Sequence, residues 1–328
     1  MGATGKPQAR KTIESLQAGR GIAALAVVFY HSGLAARDFS GNSKAYDILS
    51  YGRLGVDFFF VLSGFIIYHS TVGKRRSLRD YAIARFRRVY LPYFPVGIAM
   101  ALLYLSLPHD THVWSWLPTL TLAPVDTHPA LAVAWTLQHE ILFYILFGLF
   151  YFSGILPIGM AVWAACILLL GKHLPFADIN LEFFFGIAAA ILYRDGRVHR
   201  VLYLAAPVFL AVWILLGHDE THRVWVGAAA ACLVASLAQT ERKGMAVPRS
   251  LILLGAASYS LYLVHDPIVS VVARVVPGAW IIVSSLAASL LGGFAYHFLV
   301  EKRAVAKKAN PEVFIEPLPK PLAEAQRS

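Results

Sequence analysis

IESLQAGRGIAALAVVFYH, residues 13–31, is the first long apolar stretch of the chain, and it carries both a cation and an imidazole. Arg20 and His31 are eleven residues apart, which is about three turns of an α-helix and about 16 Å along its axis. Both side chains therefore lie on nearly the same face of one helix. Ionisable residues in a membrane-length helix are energetically expensive and by default face a protein interior or a wet cavity. The pair therefore marks a candidate functional site.

The composition of the chain is that of a membrane protein. Of its 328 residues, 58% are hydrophobic and 15% are charged, whereas soluble domains carry about 25% charged residues. Long apolar runs recur along the sequence, and we therefore predict an all-α fold, a polytopic membrane bundle of about ten transmembrane helices. The positively charged residues behind the net charge of +10 lie mainly in the segments between these runs, so the charge does not indicate a nucleic-acid partner.

The predicted spans are ten apolar segments, residues 15–34, 54–72, 88–107, 131–153, 155–171, 179–193, 200–217, 223–240, 250–272 and 279–300. Their orientation follows from the positive charges between them. With the N-terminus in the cytoplasm, the Lys and Arg residues on or near the outside are Arg37, Lys44, Arg53, Lys172, Arg223 and Arg274. The other 23 of the 29 lie on or near the cytoplasmic side. This asymmetry follows the positive-inside rule and predicts that both termini are cytoplasmic.

The polar ends of the chain flank a single predicted membrane domain. We assign residues 1–11 to a cytoplasmic N-terminal segment, residues 12–303 to the membrane domain, and residues 304–328 to a flexible cytoplasmic tail. No small-residue cleavage site follows the first apolar run, so that run is interpreted as a retained helix rather than a signal peptide.

A carboxylate at a matching depth gives His31 a predicted partner. Asp57 lies in GRLGVDFFFVLSGF, residues 52–65, which begins the second span near the outside. A carboxylate next to a histidine fixes the imidazole tautomer and stabilises the imidazolium that forms on proton abstraction. The alternative is a structural His–Asp hydrogen bond that only joins two helices.

The fourth span carries a second carboxylate. WTLQHEILFY, residues 135–144, places Glu140 about three turns below the outer surface, near the middle of the membrane. A lone glutamate there needs a partner, and Arg20 or a histidine can supply it. The role of Glu140 at the site is therefore either catalytic or architectural.

The ninth span contributes hydroxyls and another histidine. SYSLYLVHDP, residues 258–267, includes Tyr259 one to two turns below His265. Pro267 interrupts the helical hydrogen bonds and frees backbone carbonyls. His265 therefore either lines the outer part of a cavity or satisfies a freed carbonyl.

The strongest basic cluster is KRRSLRDYAIARFRRVYLP, residues 74–92, which follows the second span on the cytoplasmic side. Arg85 and Arg88 are three residues apart, so they share one helical face at the mouth of the next span. A planar guanidinium group can bind two oxygens of a phosphate with two parallel hydrogen bonds. The alternative is that this pair contacts lipid headgroups, or that its charges only follow the positive-inside rule.

These motifs stand in a fixed order and together resemble the bacterial acyltransferase-3 family of integral membrane O-acyltransferases, over about residues 12–303. Within that family the chain is similar to enzymes that acetylate exopolysaccharide or lipopolysaccharide sugars. The motifs are Arg20-x10-His31, GVDFFFVLSGF at 55–65, Arg85-x-x-Arg88, WTLxxExxFY at 135–144 and SYSLYxxHxP at 258–267.

The resemblance implies transfer of an acyl group, usually acetyl, from cytoplasmic acetyl-CoA to a sugar hydroxyl of a polysaccharide or lipid-linked sugar outside the bacterial inner membrane. Arg85 and Arg88 would meet the CoA phosphates, and His31, oriented by Asp57, would act as the general base. Arg20 would stabilise the donor or orient Glu140, whereas direct transfer and an acyl-histidine intermediate both stay open.

The remaining assignments complete this set of expectations. Tyr259 and His265 are assigned to donor or substrate binding, and no metal is expected, because no HExxH, P-loop or GxGxxG pattern occurs. The competing function is a transporter in which His31, Asp57 and Glu140 form a proton or substrate path.

Overall fold

The computed structural model of the protein describes residues 13–106, 113–171, 173–217, 223–242, 244–278 and 280–306. Every regular element in these ranges is a helix, which confirms the all-α prediction. The predicted N-terminal segment 1–11 and nearly all of the predicted tail 304–328 lie outside the described residues.

The α-helices are numbered in chain order. They are α1 Glu14–Ser40, α2 Ser43–Leu49, α3 Leu54–Thr71, α4 Leu78–Ser106, α5 Trp116–Thr121, α6 Trp135–Phe152, α7 Leu156–Leu170, α8 Leu181–Arg194, α9 Val201–Leu215, α10 Arg223–Arg242, α11 Arg249–Ala256, α12 Ser258–Val275, α13 Trp280–Tyr296 and α14 Lys302–Ala306. Short 3-10 helices are Ser50–Arg53, Ala132–Ala134, Leu174–Phe176 and Asp178–Asn180, and a π-helix is His297–Glu301.

Each of the ten predicted spans contains a helix, but ten membrane crossings are not confirmed. Among the described residues, the segments long and apolar enough to cross a bilayer are Ser43–Thr71, Leu78–Ser106, Ala132–Phe152, Arg223–Arg242 and Trp280–Ala304. A sixth crossing results if α11 and α12, which are bent by 65° relative to each other, form one broken span.

Fewer than ten candidate crossings occur among the described residues for two physical reasons. The helices α7, α8 and α9 have 15, 14 and 15 residues, whereas a bilayer span needs about 20. The helix α1 has 27 residues, but Arg20, His31 and Arg37 lower its hydropathy below that of a simple lipid-facing span.

Helix α1 has a central position in the bundle. It packs against α3, α10, α11, α12 and α13, so most of its surface meets protein rather than lipid. A helix surrounded by protein can carry ionisable side chains that a lipid-facing helix cannot. This explains why the Arg20–His31 stretch occurs here.

Glycines allow two of the helices to approach at backbone distance. A Cβ atom on Gly186 of α8 would lie 1.9 Å from the carbonyl oxygen of Val61, and one on Gly64 of α3 would lie 2.1 Å from that of Phe183. Small residues at such crossings are typical of membrane helix packing. The position of α3 beside the bundle centre therefore depends on the absence of these two side chains.

We expect Gly186→Ala to destabilise the folded protein by about 1–3 kcal/mol, because the added methyl group meets a backbone carbonyl that cannot rotate away. The measurement is the thermal unfolding midpoint of the protein purified in detergent. Ala188→Leu is the matched control, since Ala188 is exposed on the same helix. Equal midpoints for the two variants would contradict the close approach of α3 and α8.

Candidate active site

A cavity with about 860 Å³ of empty space, including its opening, lies between α1, α3, α4, α6 and α12. Its polar lining consists of Arg20, Ser63, Arg85, Arg88, Thr136, Glu140, Tyr144, Ser258, Tyr259 and Tyr262. The rest of the wall is apolar and comes mainly from α3. Such a cavity suits a ligand that combines an anionic part with a largely uncharged arm.

Arg85 is the most unusual side chain of this lining. It is only 5% exposed, and its Nε atom has no hydrogen-bond partner among the described residues. Its guanidinium carbon lies 5.9 Å from the ring centroid of Tyr81 and 5.7 Å from that of Tyr144. A buried cation held by aromatic faces, with a donor left unused, is well placed to bind an anion.

Arg88 has a protein carboxylate as its partner. Its Nη1 atom lies 2.7 Å from Oε1 of Glu301, and its guanidinium carbon lies 5.1 Å from the ring centroid of Tyr259. Glu301 also accepts a hydrogen bond of 2.7 Å from Ser260 Oγ and lies 2.9 Å from His297 Nδ1. The carboxylate ends the π-helix before α14, so this helix is joined to a lining residue of α4 through Arg88.

Glu140 is satisfied by hydroxyl groups rather than by a histidine. Its Oε1 atom accepts a hydrogen bond of 3.1 Å from Ser63 Oγ and a short one from Tyr144 Oη. Arg20 of α1 and Glu140 of α6 line the same cavity. Their predicted association stays a prediction.

Two tyrosines of α12 shape the cavity wall. Tyr259 Oη donates a hydrogen bond of 2.8 Å to the carbonyl oxygen of Val89, which fixes its ring under Arg88. Tyr262 Oη lies 2.8 Å from Thr136 Oγ1 and donates to the carbonyl oxygen of Val133 at 3.0 Å. Tyr262 thus separates the cavity from the histidine that follows it one turn later.

His31 and His265 meet beyond Tyr262. His265 Nε2 lies 3.2 Å from His31 Nδ1, and the two ring centroids are 4.8 Å apart. The ring of Tyr262 is 5.6 Å from that of His265. His265 does not line the described cavity, and its Nδ1 atom contacts the carbonyl oxygens of Leu261 and Tyr262 instead.

The structure places Asp57 on a partner other than His31, so the predicted His31–Asp57 contact is wrong. Asp57 is 1% exposed, and its Oδ1 atom accepts a hydrogen bond of 2.8 Å from Arg223 Nε. The same Nε atom lies 3.2 Å from Oε1 of Glu182, so Asp57 and Glu182 share one guanidinium group. Asp57 therefore joins α3 to α8 and α10.

The register between α1 and α3 explains this difference. A Cβ atom on Gly52 would lie 3.2 Å from Tyr30 Cβ, whereas one on Gly55 would lie 2.4 Å from the carbonyl oxygen of Ala23. Residues just before α3 are therefore level with His31, and Asp57 lies about two helical turns deeper.

Three ionic residues in these contacts are not predicted from the sequence to belong to the site. Glu182 and Glu301 are 2% and 3% exposed, whereas the side chain of Arg223 is 22% exposed and the sequence predicts it only as a charge near the outside. Glu182 offers the same signal as Glu140, a lone carboxylate in an apolar segment. The position of Glu301 near the charged tail gives no such signal. Within the described residues, no group of three or more metal-binding side chains occurs.

Known proteins resemble the chain along most of its length. The model of the acyltransferase-3 family, described as an acyltransferase domain, matches residues 13–298. The chain is 31% identical to the exopolysaccharide production protein ExoZ of Rhizobium meliloti (strain 1021), over 72% of this chain and 82% of that protein. It is 25% identical to the acyltransferase MdmB of Streptomyces mycarofaciens, over 88% of this chain and 90% of that protein. No solved structure matches the chain.

We expect Arg223→Leu to destabilise the protein by up to about 3–5 kcal/mol, because it leaves the buried carboxyl groups of Asp57 and Glu182 without their cation. The thermal unfolding midpoint in detergent is the measurement. Arg274→Leu serves as the control, since Arg274 bonds only exposed atoms of Ser270 and contacts Phe39 at the far end of α12. If both variants unfold at the wild-type temperature, the three-residue cluster does not hold the helices together.

Proposed function

We propose that this chain, which belongs to the acyltransferase-3 family, transfers an acyl group from cytoplasmic acyl-CoA to a sugar hydroxyl on the outer side of the bacterial inner membrane. Family membership makes the protein a membrane acyltransferase. We take acetyl-CoA as the donor and a polysaccharide or lipid-linked sugar as the acceptor. The acceptor class is supported by the similarity to a protein named for exopolysaccharide production.

The observation that carries the proposal is the arrangement of charge along the cavity. Arg20, Arg85 and Arg88 all belong to the lining. Arg88 lies over the ring of Tyr259, and Tyr262, one turn further along α12, lies against His265. Acyl-CoA has phosphate groups at one end, an uncharged pantetheine arm, and a thioester at the other end. The arginines match the phosphates, the apolar wall of α3 matches the arm, and the thioester would arrive beside the histidine pair.

The charges near the arginines favour an anionic donor. The lining contains three arginines and one carboxylate, Glu140, and Glu301 outside the lining pairs with Arg88, so one positive charge stays uncompensated among these groups. Arg85 has an unused donor for an incoming phosphate oxygen, whereas Arg88 would exchange or share Glu301. Glu140, held by Ser63 and Tyr144, would keep Arg20 in place as the donor enters.

The proposed orientation follows from the distribution of Lys and Arg residues, which puts the arginine end of the cavity on the cytoplasmic side. His31 lies three helical turns further along α1, toward the outer face. The donor would thus enter from the cytoplasm, and the acceptor hydroxyl would reach His31 from outside.

In the proposed reaction, His31 takes the proton of the acceptor hydroxyl while the hydroxyl oxygen attacks the thioester carbonyl carbon. A carbon–oxygen bond forms, the carbon–sulfur bond breaks, and the thiolate of CoA recovers the proton from the imidazolium. If the acyl group rests first on His31, the same unprotonated imidazole nitrogen is the nucleophile. Both routes require a free lone pair on His31, which lies outside the cavity lining and beyond Tyr262, so the thioester has to reach past Tyr262.

We expect Arg85→Ala to weaken acyl-CoA binding about ten- to a hundredfold, because a charge-assisted hydrogen bond to phosphate contributes about 1.5–3 kcal/mol. Isothermal titration of the detergent-purified protein with acetyl-CoA measures the affinity. Arg274→Ala, at the opposite end of the bundle, should bind as the wild type does. Unchanged affinity in Arg85→Ala, Arg88→Ala and the double variant would mean that the two arginines contact lipid headgroups or only set the membrane topology.

We expect His31→Ala to abolish acyl transfer while donor affinity stays within about threefold of the wild-type value, because the phosphate site is about three helical turns away. The assay follows labelled acetyl from acetyl-CoA to de-O-acetylated exopolysaccharide. His199→Ala removes an exposed histidine and should retain full transfer. Near-normal transfer by correctly folded His31→Ala protein would exclude His31 as the base.

A further inference from the structure

We infer that His265 is the positioning residue for His31: it accepts a hydrogen bond from the Nδ1–H group of His31 and so leaves Nε2 of His31 as the basic nitrogen. The hydrogen-bond assignment stands on the contacts of the two rings. Its catalytic meaning rests on the proposed function. His265 would thus orient His31, the role that the sequence predicts for Asp57.

The backbone of α12 decides which nitrogen of His265 carries the proton. Its Nδ1 atom lies 2.7 Å from the carbonyl oxygen of Tyr262 and 3.2 Å from that of Leu261. Carbonyl oxygens only accept hydrogen bonds, so Nδ1 must be the donor. In the neutral ring, Nε2 of His265 then carries a lone pair and can only accept.

The same reasoning fixes the proton of His31. Its Nδ1 atom has two neighbours, the carbonyl oxygen of Val27 at 3.0 Å and Nε2 of His265 at 3.2 Å. Both neighbours are acceptors, so Nδ1 of His31 must carry the proton and share it between them. Nε2 of His31 is therefore the nitrogen with the free lone pair.

The opposite assignment fails at two contacts. If the proton of His31 were on Nε2, the lone pair of Nδ1 would point at the lone pairs of the Val27 carbonyl oxygen, 3.0 Å away. His265 could then approach His31 favourably only as a doubly protonated cation. The side chain of His265 is 0% exposed, and a buried charge without a carboxylate against it is strongly disfavoured.

The arrangement prepares His31 for proton transfer without any movement of the ring. When Nε2 of His31 accepts a proton, Nδ1–H still donates to His265, and the bond becomes charge-assisted and stronger. His265 keeps its own proton throughout, because its Nδ1–H stays bonded to the carbonyls of α12. A backbone carbonyl of α12 thus fixes the tautomer of His265, and His265 in turn orients His31 on α1.

The tautomer itself can be measured by nitrogen NMR. We expect the His31 ring of the ¹⁵N-histidine-labelled, detergent-purified protein to show a protonated Nδ1 and an unprotonated Nε2, with the signals assigned through their absence in His31→Gln. In His265→Leu, the carbonyl oxygen of Val27 is the one described acceptor left for Nδ1, so the Nδ1-protonated fraction of His31 should fall and the Nε2-protonated form should become detectable. His139→Leu is the matched control, because His139 is also buried but is bonded to Asn180, and it should leave the His31 signals unchanged.

Kinetics supply a second readout that a structural role would not move. Loss of the partner that fixes the tautomer of a catalytic histidine lowers kcat by about 10⁴-fold in serine proteases. We expect His265→Leu to lower kcat by about 10²- to 10⁴-fold with the KM for acetyl-CoA changed less than about threefold. His265→Gln should restore much of kcat, because its amide oxygen can accept from His31 at the position of Nε2.

Each outcome decides the inference. A wild-type spectrum with His31 protonated on Nε2 would overturn it, as would an unchanged tautomer and unchanged kcat in folded His265→Leu protein. If His265→Leu does not fold, the wild-type spectrum and His265→Gln still decide. Absence of acyl transfer by the wild-type protein would defeat the proposed function, whereas the spectrum would still support or refute the tautomer.

Discussion

Every buried charge in a helical membrane bundle has to find a partner within the protein or be kept for a ligand. In this structure the two cases occur side by side. Asp57 and Glu182 share Arg223, and Glu301 binds Arg88. Arg85, in contrast, is buried with an unused donor in the wall of a cavity. The first set of contacts joins helices, and the exception is the cation to which we assign an anionic ligand in the proposed function.

The central position of α1 follows from the same constraint. A helix with Arg20 and His31 on one face is stable only where other helices cover that face, and α3, α12 and α13 all pack against it. Close packing in turn requires small residues, as shown by Gly55 of α3 beside the carbonyl oxygen of Ala23. The break of 65° between α11 and α12 brings the second histidine toward the first.

The sequence was sufficient for features that depend on one helix at a time. Helical segments, the membrane character and the arginine cluster all follow from composition and from the spacing within a segment. Five of the eight predicted site residues, Arg20, Arg85, Arg88, Glu140 and Tyr259, line one cavity. Their shared location follows from the rule that ionisable residues avoid lipid.

The sequence was insufficient for features that depend on the register between helices. Helical periodicity gives the face of a residue, but the relative height of α1 and α3 is set by tertiary contacts such as that between Gly55 and Ala23. An error of two turns was enough to pair His31 with Asp57. The predicted number of spans is not confirmed for a related reason, because α7, α8 and α9 pack against neighbouring helices and can be shorter than an isolated span.

The partner found for His31 is also the one that electrostatics favours in this position. A carboxylate beside His31 would be a permanent buried charge and would itself need a cation, as Asp57 needs Arg223. A neutral imidazole needs no counter-charge, yet it still accepts the Nδ1–H bond and fixes the tautomer. The arrangement stabilises a transient imidazolium less strongly than a carboxylate does, but it keeps the resting histidine pair uncharged. For a base that holds its proton only between attack and release of the thiol, orientation by a neutral acceptor is therefore sufficient.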